Sequence, residues 1–225
     1  MKFNVLVNFL LIVSLTVAFG SCFAEESAKS EFTIDGLQLI EDSNLALVYA
    51  EPGIDMSRYS KVYLDTPYVA FKKNWQRTQN RVGPNRVSND DMAKIKTELS
   101  SLFMDVFSKT LEEGGYTLVT EAGEDVLRIK PAIVNLDIVA PDTSAPGSTR
   151  TYSETAGEMT LYMELYDSVT GDLLARALDR KEDRKTGYFE WQNRVTNRAA
   201  AHRILKVWAG VLKEGLDDAK AAPLR

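Results

Sequence analysis

The chain has 225 residues with 32 acidic side chains, one histidine and one cysteine, and these counts limit its possible chemistry. A Ser-His-Asp or Cys-His hydrolase would depend entirely on His202. We expect that histidine on the solvent side of a helix, opposite an apolar stripe. The sequence has neither a Gly-x-Ser-x-Gly elbow nor a Gly-rich phosphate loop ending in Gly-Lys-Ser/Thr. Nucleophilic catalysis is therefore not expected.

Paired carboxylates are the catalytic arrangement that the composition leaves open. Two such groups can hydrolyse a glycosidic bond, one of them as the general acid. Asp137 or Asp142 could pair with Glu154 or Glu158. Because acids are so numerous, some pair always looks suitable, so this pattern is weak. We expect no catalytic residue and no enzyme, with a carboxylate-dependent envelope hydrolase as the alternative.

Cofactors and metals are not expected either. Zinc sites need several His and Cys ligands, which this chain lacks. The formal charge is −5, and removing residues 1–24 would delete only the positive charge of Lys2 and give −6. Nucleic-acid binding, which needs a basic footprint, is therefore disfavoured.

Residues 66–87 are positively charged, whereas the chain as a whole is negatively charged, because this segment contains lysine and arginine but no acid. A connection this long between a strand and a helix is uncommon unless it binds something or is disordered. Tryptophan and arginine often anchor interfaces. The candidate binding residues here are Phe71, Lys72, Lys73, Trp75, Arg77, Arg81 and Arg86. In the alternative interpretation, the segment is a solvated loop in which Phe71 and Trp75 pack over the sheet edge.

Residues 180–198 form a second candidate surface between a strand and a helix. Arg184, Lys185 and Phe189 add charge and aromatic area there. The candidate binding residues are Tyr188, Trp191 and Arg194. We expect both segments on one side of the sheet, where they would form a mixed aromatic and basic patch.

The first 24 residues are typical of an export signal. Lys2 precedes an apolar run over residues 5–19, and small residues follow. The run is short for a membrane-spanning helix. Cleavage after Ala24 is one prediction. In the other, the signal is cut before Cys22, which then carries lipid and anchors the protein at a membrane surface.

The elements that position these residues are predicted from apolar periodicity. Strands are expected at residues 45–50, 61–65, 116–120, 127–138, 159–166 and 173–179. A helix should begin after the N-cap Ser88 and end at Gly114-Gly115, and a second should cover residues 197–220. The apolar phase changes near Pro131, which predicts a bulge or an edge position there.

These elements predict an α+β fold, a mainly antiparallel sheet of about five or six strands packed by two long helices. Their expected order is strand, strand, helix, strands, helix. Residues 25–34 are expected to be a tether, and residues 35–225 a single domain.

Several separated motifs lie between residues 35 and 217: DGL at 35–37, LVYAEPG at 47–53, YVAFKKNW at 68–75, VSNDDM at 87–92, GGY at 114–116, RIKPAIVNL at 128–136, MTLYMELYDS at 159–168 and NRVTNR at 193–198. Together they resemble a family of bacterial lipoproteins, the domain of unknown function 3313. That family has no established activity and no catalytic residues to carry over to this sequence.

The family implies a bacterial envelope protein, often with a lipidated cysteine. We therefore expect a non-enzymatic domain in the periplasm or on the periplasmic face of the outer membrane, where it binds or assembles with another envelope component. The expected partner is a protein, with an anionic glycan or a lipid headgroup next. Nucleic acid is not expected as a partner. Contact with a membrane is expected only through a lipid anchor.

Overall fold

The computed structural model of the protein describes residues 33–82, 86–141, 151–153, 155–183, 190–192 and 194–221. The predicted signal segment, Cys22 and most of the predicted tether lie outside these ranges.

The described residues form three helices and ten strands. The strands are β1 (Gln38–Leu39), β2 (Leu47–Ala50), β3 (Lys61–Leu64), β4 (Tyr68–Phe71), β5 (Thr117–Leu118), β6 (Val126–Ile138), β7 (Thr151–Ser153), β8 (Gly157–Asp167), β9 (Leu173–Glu182) and β10 (Glu190–Gln192). The helices are α1 (Trp75–Val82), α2 (Asn89–Glu113) and α3 (Arg194–Ala221).

The main sheet has eight strands in the order β1-β2-β9-β8-β6-β3-β5, with β4 also paired to β6. Strands β3, β4 and β5 join it by parallel pairing, and the other neighbours are antiparallel. Strands β7 and β10 form a separate antiparallel pair. The α+β prediction is confirmed, but the predicted five or six strands were too few, and the predicted order omitted β1, β4 and the short helix α1 before α2. The missed elements are short and therefore have little periodicity.

Helix α2 begins and ends where its sequence predicts. Ser88 accepts the main-chain N–H of Asp91, and the Asp91 carboxylate accepts that of Ser88, which forms a capping box. At the other end, Gly115 has a φ of 87°, a left-handed conformation that favours glycine. The apolar face of α2 is buried along most of its length, at Leu99, Leu102, Phe103, Val106 and Leu111.

The core lies between one face of the sheet and helices α2 and α3. Strand β8 alternates as predicted, and Met159, Leu161, Met163 and Leu165 are buried in this core. Helix α3 contributes Leu205 and Trp208, which are almost fully buried. The indole N–H of Trp208 donates to Asp179 Oδ2 at 2.7 Å, so this helix is joined to β9 by a polar contact as well.

The predicted phase change in β6 occurs later than the sequence indicated. Pro131 is buried and pairs with Met163 in unbroken register, so a bulge at Pro131 was wrong. The register instead shifts between Val134 and Asp137, where Asn135 has a φ of 51°. Pro131 is tolerated in this central strand because it lies in the break between the pairings of β3 and β4 with β6.

Candidate functional site

The charge-reversed segment 66–87 contains two elements rather than one long loop. Strand β4 pairs with β6, and α1 follows after Asn74, which has a left-handed φ of 63°. The segment therefore lies against the end of β6, beside the start of α2.

The aromatic residues of this segment are used by the fold. Trp75 is 3% exposed, and its indole N–H donates to the main-chain carbonyl of Ile138 at 3.2 Å. Phe71 stacks on it with ring centroids 4.2 Å apart. The packing interpretation is thus correct for this pair. A buried indole has no surface to offer a partner, which corrects the expectation that Trp75 anchors an interface.

Amide side chains fasten the rest of α1 to the body of the protein. Gln79 donates to the carbonyl of Ile138 at 2.9 Å, and Gln76 donates to that of Val87 at 3.1 Å. Asn80 both donates to and accepts from the main chain of Val87. The orientation of α1 is therefore determined by polar contacts along one side.

The opposite side of α1 presents cations to solvent. Arg77 and Arg81 are exposed and one helical turn apart, and Lys73 and Arg86 are exposed beside the helix. None of these four cations, which we call the α1 cation group, forms an ion pair with a described residue. Arginines on the sheet are paired, as Arg128 is with Asp65. Among the described residues, no acidic side chain neutralises this group.

Lys72 differs from that group because it belongs to a charge cluster on the sheet. Its ammonium lies 2.8 Å from Asp137 and 3.5 Å from Glu158. Glu158 also pairs with Arg180. Hydrogen bonding to Arg180, together with the charge of Lys72, holds the pKa of Glu158 below its ordinary value despite the opposing effect of burial.

This cluster contains two of the acids considered for the alternative function, a carboxylate-dependent hydrolase. Asp137 and Glu158, one of the four pairings that the sequence left open, are neighbours in the register of β6 and β8. A general acid needs a raised pKa, whereas that of Glu158 is lowered. Asp142 and Glu154 lie outside the described residues. Across the described ranges, no group of His, Cys, Asp and Glu could hold a metal ion.

The two candidate segments approach each other at Glu158. Lys72 comes from the first segment and Arg180 from the start of the second, and both contact this carboxylate. Trp191 lies in β10, with its backbone paired to Tyr152. Tyr188 and the side chains of Trp191 and Arg194 lie outside the described residues, so the aromatic part of the patch stays a prediction. His202 is exposed on α3, as expected.

A cavity lies beside this cluster, between α2, α3 and the adjoining ends of β6 and β8. Its volume is about 110 Å³. Most of its walls are apolar, with Leu99 from α2, Ile138 from β6 and Ile204 from α3. The cavity had no signal in the sequence, because its lining comes from four elements that are distant along the chain.

A family model described as protein of unknown function (DUF3313) matches residues 29–212. The chain belongs to this family. The match confirms the resemblance seen in the separated motifs, and it covers every described element except the last part of α3. No curated protein matches the sequence.

Three solved structures of bacterial proteins have a partly similar fold. The PelC dodecamer from Paraburkholderia phytofirmans has 12% identity and a TM-score of 0.37, with coverage of 74% of this chain and 96% of that one. A protein from Xanthomonas campestris, of the DUF330 family model, has 12% identity and a TM-score of 0.35, covering 75% and 90%. A DUF4136 family protein from Bacteroides thetaiotaomicron has 12% identity and a TM-score of 0.33, covering 78% and 98%. At these scores the likenesses carry no argument about function.

Within the described ranges, no helix has the length and apolar character needed to cross a membrane.

Proposed function

We propose that this protein is an exported, non-enzymatic cell-envelope domain that binds another envelope component through the α1 cation group. The observation that carries the proposal is that Lys73, Arg77, Arg81 and Arg86 are exposed without an ion-pair partner among the described residues. The protein as a whole has a formal charge of −5, so this is a local reversal of sign.

The rigid attachment of α1 supports binding at this surface. Because Trp75, Gln76 and Gln79 hold the helix on the sheet, the backbone that carries Arg77 and Arg81 needs no further ordering when a partner binds. Two guanidinium groups one turn apart suit a pair of carboxylates on a protein surface. An acidic protein is the proposed partner, and an anionic glycan or lipid headgroup is the second candidate.

The proposed location is the periplasm or the periplasmic face of the outer membrane. This part of the proposal depends on residues 1–24. The intact mass of the processed protein tests it. A chain that begins at Glu25 supports ordinary cleavage, and one that begins at an acylated Cys22 supports a lipid anchor. A chain that retains Met1 and the apolar run would contradict export.

The binding surface can be tested by photocrosslinking in intact cells. A photoreactive residue at position 77 should capture one discrete envelope component, and the same residue at position 206 on the exposed side of α3 should not.

In a second measurement, Arg81→Glu with Arg86→Glu should abolish capture from position 77. The matched control, Lys109→Glu with Lys206→Glu, makes the same change in net charge and should retain it. Equal capture from positions 77 and 206 would contradict the proposal.

A further inference from the structure

An open groove lies between β4, α1 and the first half of α2. Its volume is about 450 Å³, which falls within the range of about 300–1,000 Å³ that is usual for ligand sites. Its lining consists of residues 70–77 together with Met92 and Lys96 from α2. The groove therefore adjoins the α1 cation group, which contributes Lys73 and Arg77 to it.

The charge of the groove is entirely positive. Among the described residues that line it, four are cations and none is an acid. One of them, Lys72, is neutralised by the carboxylates of the sheet. Lys73, Arg77 and Lys96 form no ion pair with any described residue. The groove therefore favours an anionic ligand.

Lys96 has the most informative surroundings of these cations. It is half-buried, and its ammonium lies 6.0 Å from the centre of the Phe71 ring. Removing part of a cation from water costs free energy unless an opposite charge compensates. A carboxylate bound in the groove would supply that compensation, and the aromatic ring alone supplies only part of it.

The groove also has an apolar floor. Phe71 and Met92 are half-buried, so part of each side chain stays in contact with solvent. The Phe71 ring is held in place because it stacks on Trp75, with an angle of 18° between the ring planes. A bare inorganic anion would leave this apolar area uncovered. The better ligand has both negative charge and a hydrophobic side chain.

We propose that this groove binds an acidic peptide segment of the partner protein in which carboxylates flank an aromatic side chain. The carboxylates pair with Lys73, Arg77 and Lys96, and the aromatic ring packs on Phe71 and Met92. This inference rests on the proposed function, because it specifies which segment of an acidic protein the α1 surface selects.

Two blocked pentapeptides are suitable probes, one with four aspartates around a central phenylalanine and one with alanine at the centre. Each would be titrated into the purified processed protein, with affinity read from the amide NMR signals of Lys73 and Lys96 and the methyl signal of Met92. The phenylalanine peptide should bind about tenfold more tightly, because its ring leaves water on the apolar floor. Equal affinities, or no shift of the Met92 signal, would overturn the inference.

Lys96→Gln should weaken both peptides about fivefold, because it removes one partner of a carboxylate. Lys94→Gln is the matched control, since it makes the same change in charge at an exposed position of α2 outside the groove and should leave both affinities unchanged. Met92→Ala should reduce the preference for phenylalanine severalfold. Equal effects of the two lysine variants would contradict the inference, and this comparison decides alone should Met92→Ala fail to fold.

These measurements can fail separately from the proposed function. Capture from position 77 that depends on Arg81 and Arg86, without peptide binding in the groove, would support the α1 surface and overturn the inference. Selective peptide binding with equal capture from positions 77 and 206 would support the groove and contradict the proposed function. Phosphatidylglycerol vesicles that shift the Met92 signal when neither peptide does would assign the groove to a lipid headgroup and overturn the inference.

Discussion

Trp75 and Ile138 are joined by a hydrogen bond of 3.2 Å from the indole N–H to the main-chain carbonyl, and this contact places α1 on the end of β6. Gln79 donates to the same carbonyl at 2.9 Å. The ring of Trp75 is buried against Phe71, so one residue supplies both packing and orientation. The cations of α1 consequently reach solvent from a helix that the sheet itself positions.

The first prediction separates the structural and surface roles within α1. Trp75→Ala should lower the free energy of unfolding by about 3–5 kcal/mol, because it removes a large buried ring. Arg77→Ala, at an exposed position without a described ion pair, should change it by less than about 0.5 kcal/mol. Urea denaturation of both variants gives the comparison. Similar losses in the two would show that Arg77 has a structural contact.

The second prediction concerns the bulge in β6. Asn135 is exposed and has a φ of 51°, a conformation that costs a β-branched residue about 1–2 kcal/mol. Asn135→Val should therefore reduce the free energy of unfolding by roughly that amount, and Asn135→Gly should leave it unchanged or raise it slightly. Urea midpoints for the two variants measure the difference. Equal stability would mean that the strand can remove its bulge.

The bulge shows how much of the fold could be predicted from the periodicity of apolar residues. Apolar residues at 127 and 129 and again at 136 and 138 revealed a change of phase in β6. Since Pro131, Ala132 and Ile133 are all apolar, several bulge positions fit the pattern, and proline was the wrong choice. Burial now shows that the first phase continues to Ile133. Long elements with a regular apolar pattern, such as α2 and β8, were located correctly, because such a pattern fits only one position in the sequence.

Helix α1 was missed because its attachment is polar. It has one buried aromatic residue at its start, and Gln76, Gln79 and Asn80 bind main-chain groups that only the folded chain brings near. No apolar stripe could therefore reveal it. The sequence did show the cations of this segment, but it could not show that Lys72 is neutralised by Asp137 and Glu158 while Arg77 and Arg81 have no ion-pair partner among the described residues.

The third prediction is a pH dependence at Asp167. Burial acts to raise the pKa of this carboxyl, but hydrogen bonds from the main-chain N–H of Thr170 and the hydroxyl of Tyr59 outweigh it, so the pKa lies below its ordinary value. Its stabilising contribution is complete above the unfolded pKa of about 4 and is lost as the pH falls through the lower folded pKa.

Asp167→Asn tests this contribution, because an amide does not titrate. The free energy of unfolding of the variant should fall less steeply below about pH 4 than that of the unsubstituted protein. Asp218→Asn, at an exposed position on α3, is the control and should follow the unsubstituted curve. Urea denaturation over the acid range gives all three curves. Parallel curves for Asp167→Asn and the unsubstituted protein would show that Asp167 does not stabilise the fold through its charge.

The fourth prediction decides between a charge cluster and a catalytic acid at Glu158. Hydrogen bonding to Arg180 and the nearby charge of Lys72 lower the pKa of this carboxyl, whereas a general acid working at neutral pH needs a raised one. NMR titration of the Glu158 carboxyl should therefore give a pKa below the ordinary glutamate value. In Arg180→Ala the pKa should rise, because the largest lowering contact is removed, and in the exposed control Lys206→Ala it should not change. A Glu158 pKa near neutrality would favour a hydrolase over a binding domain, since the acid would then be protonated at the pH where it must donate.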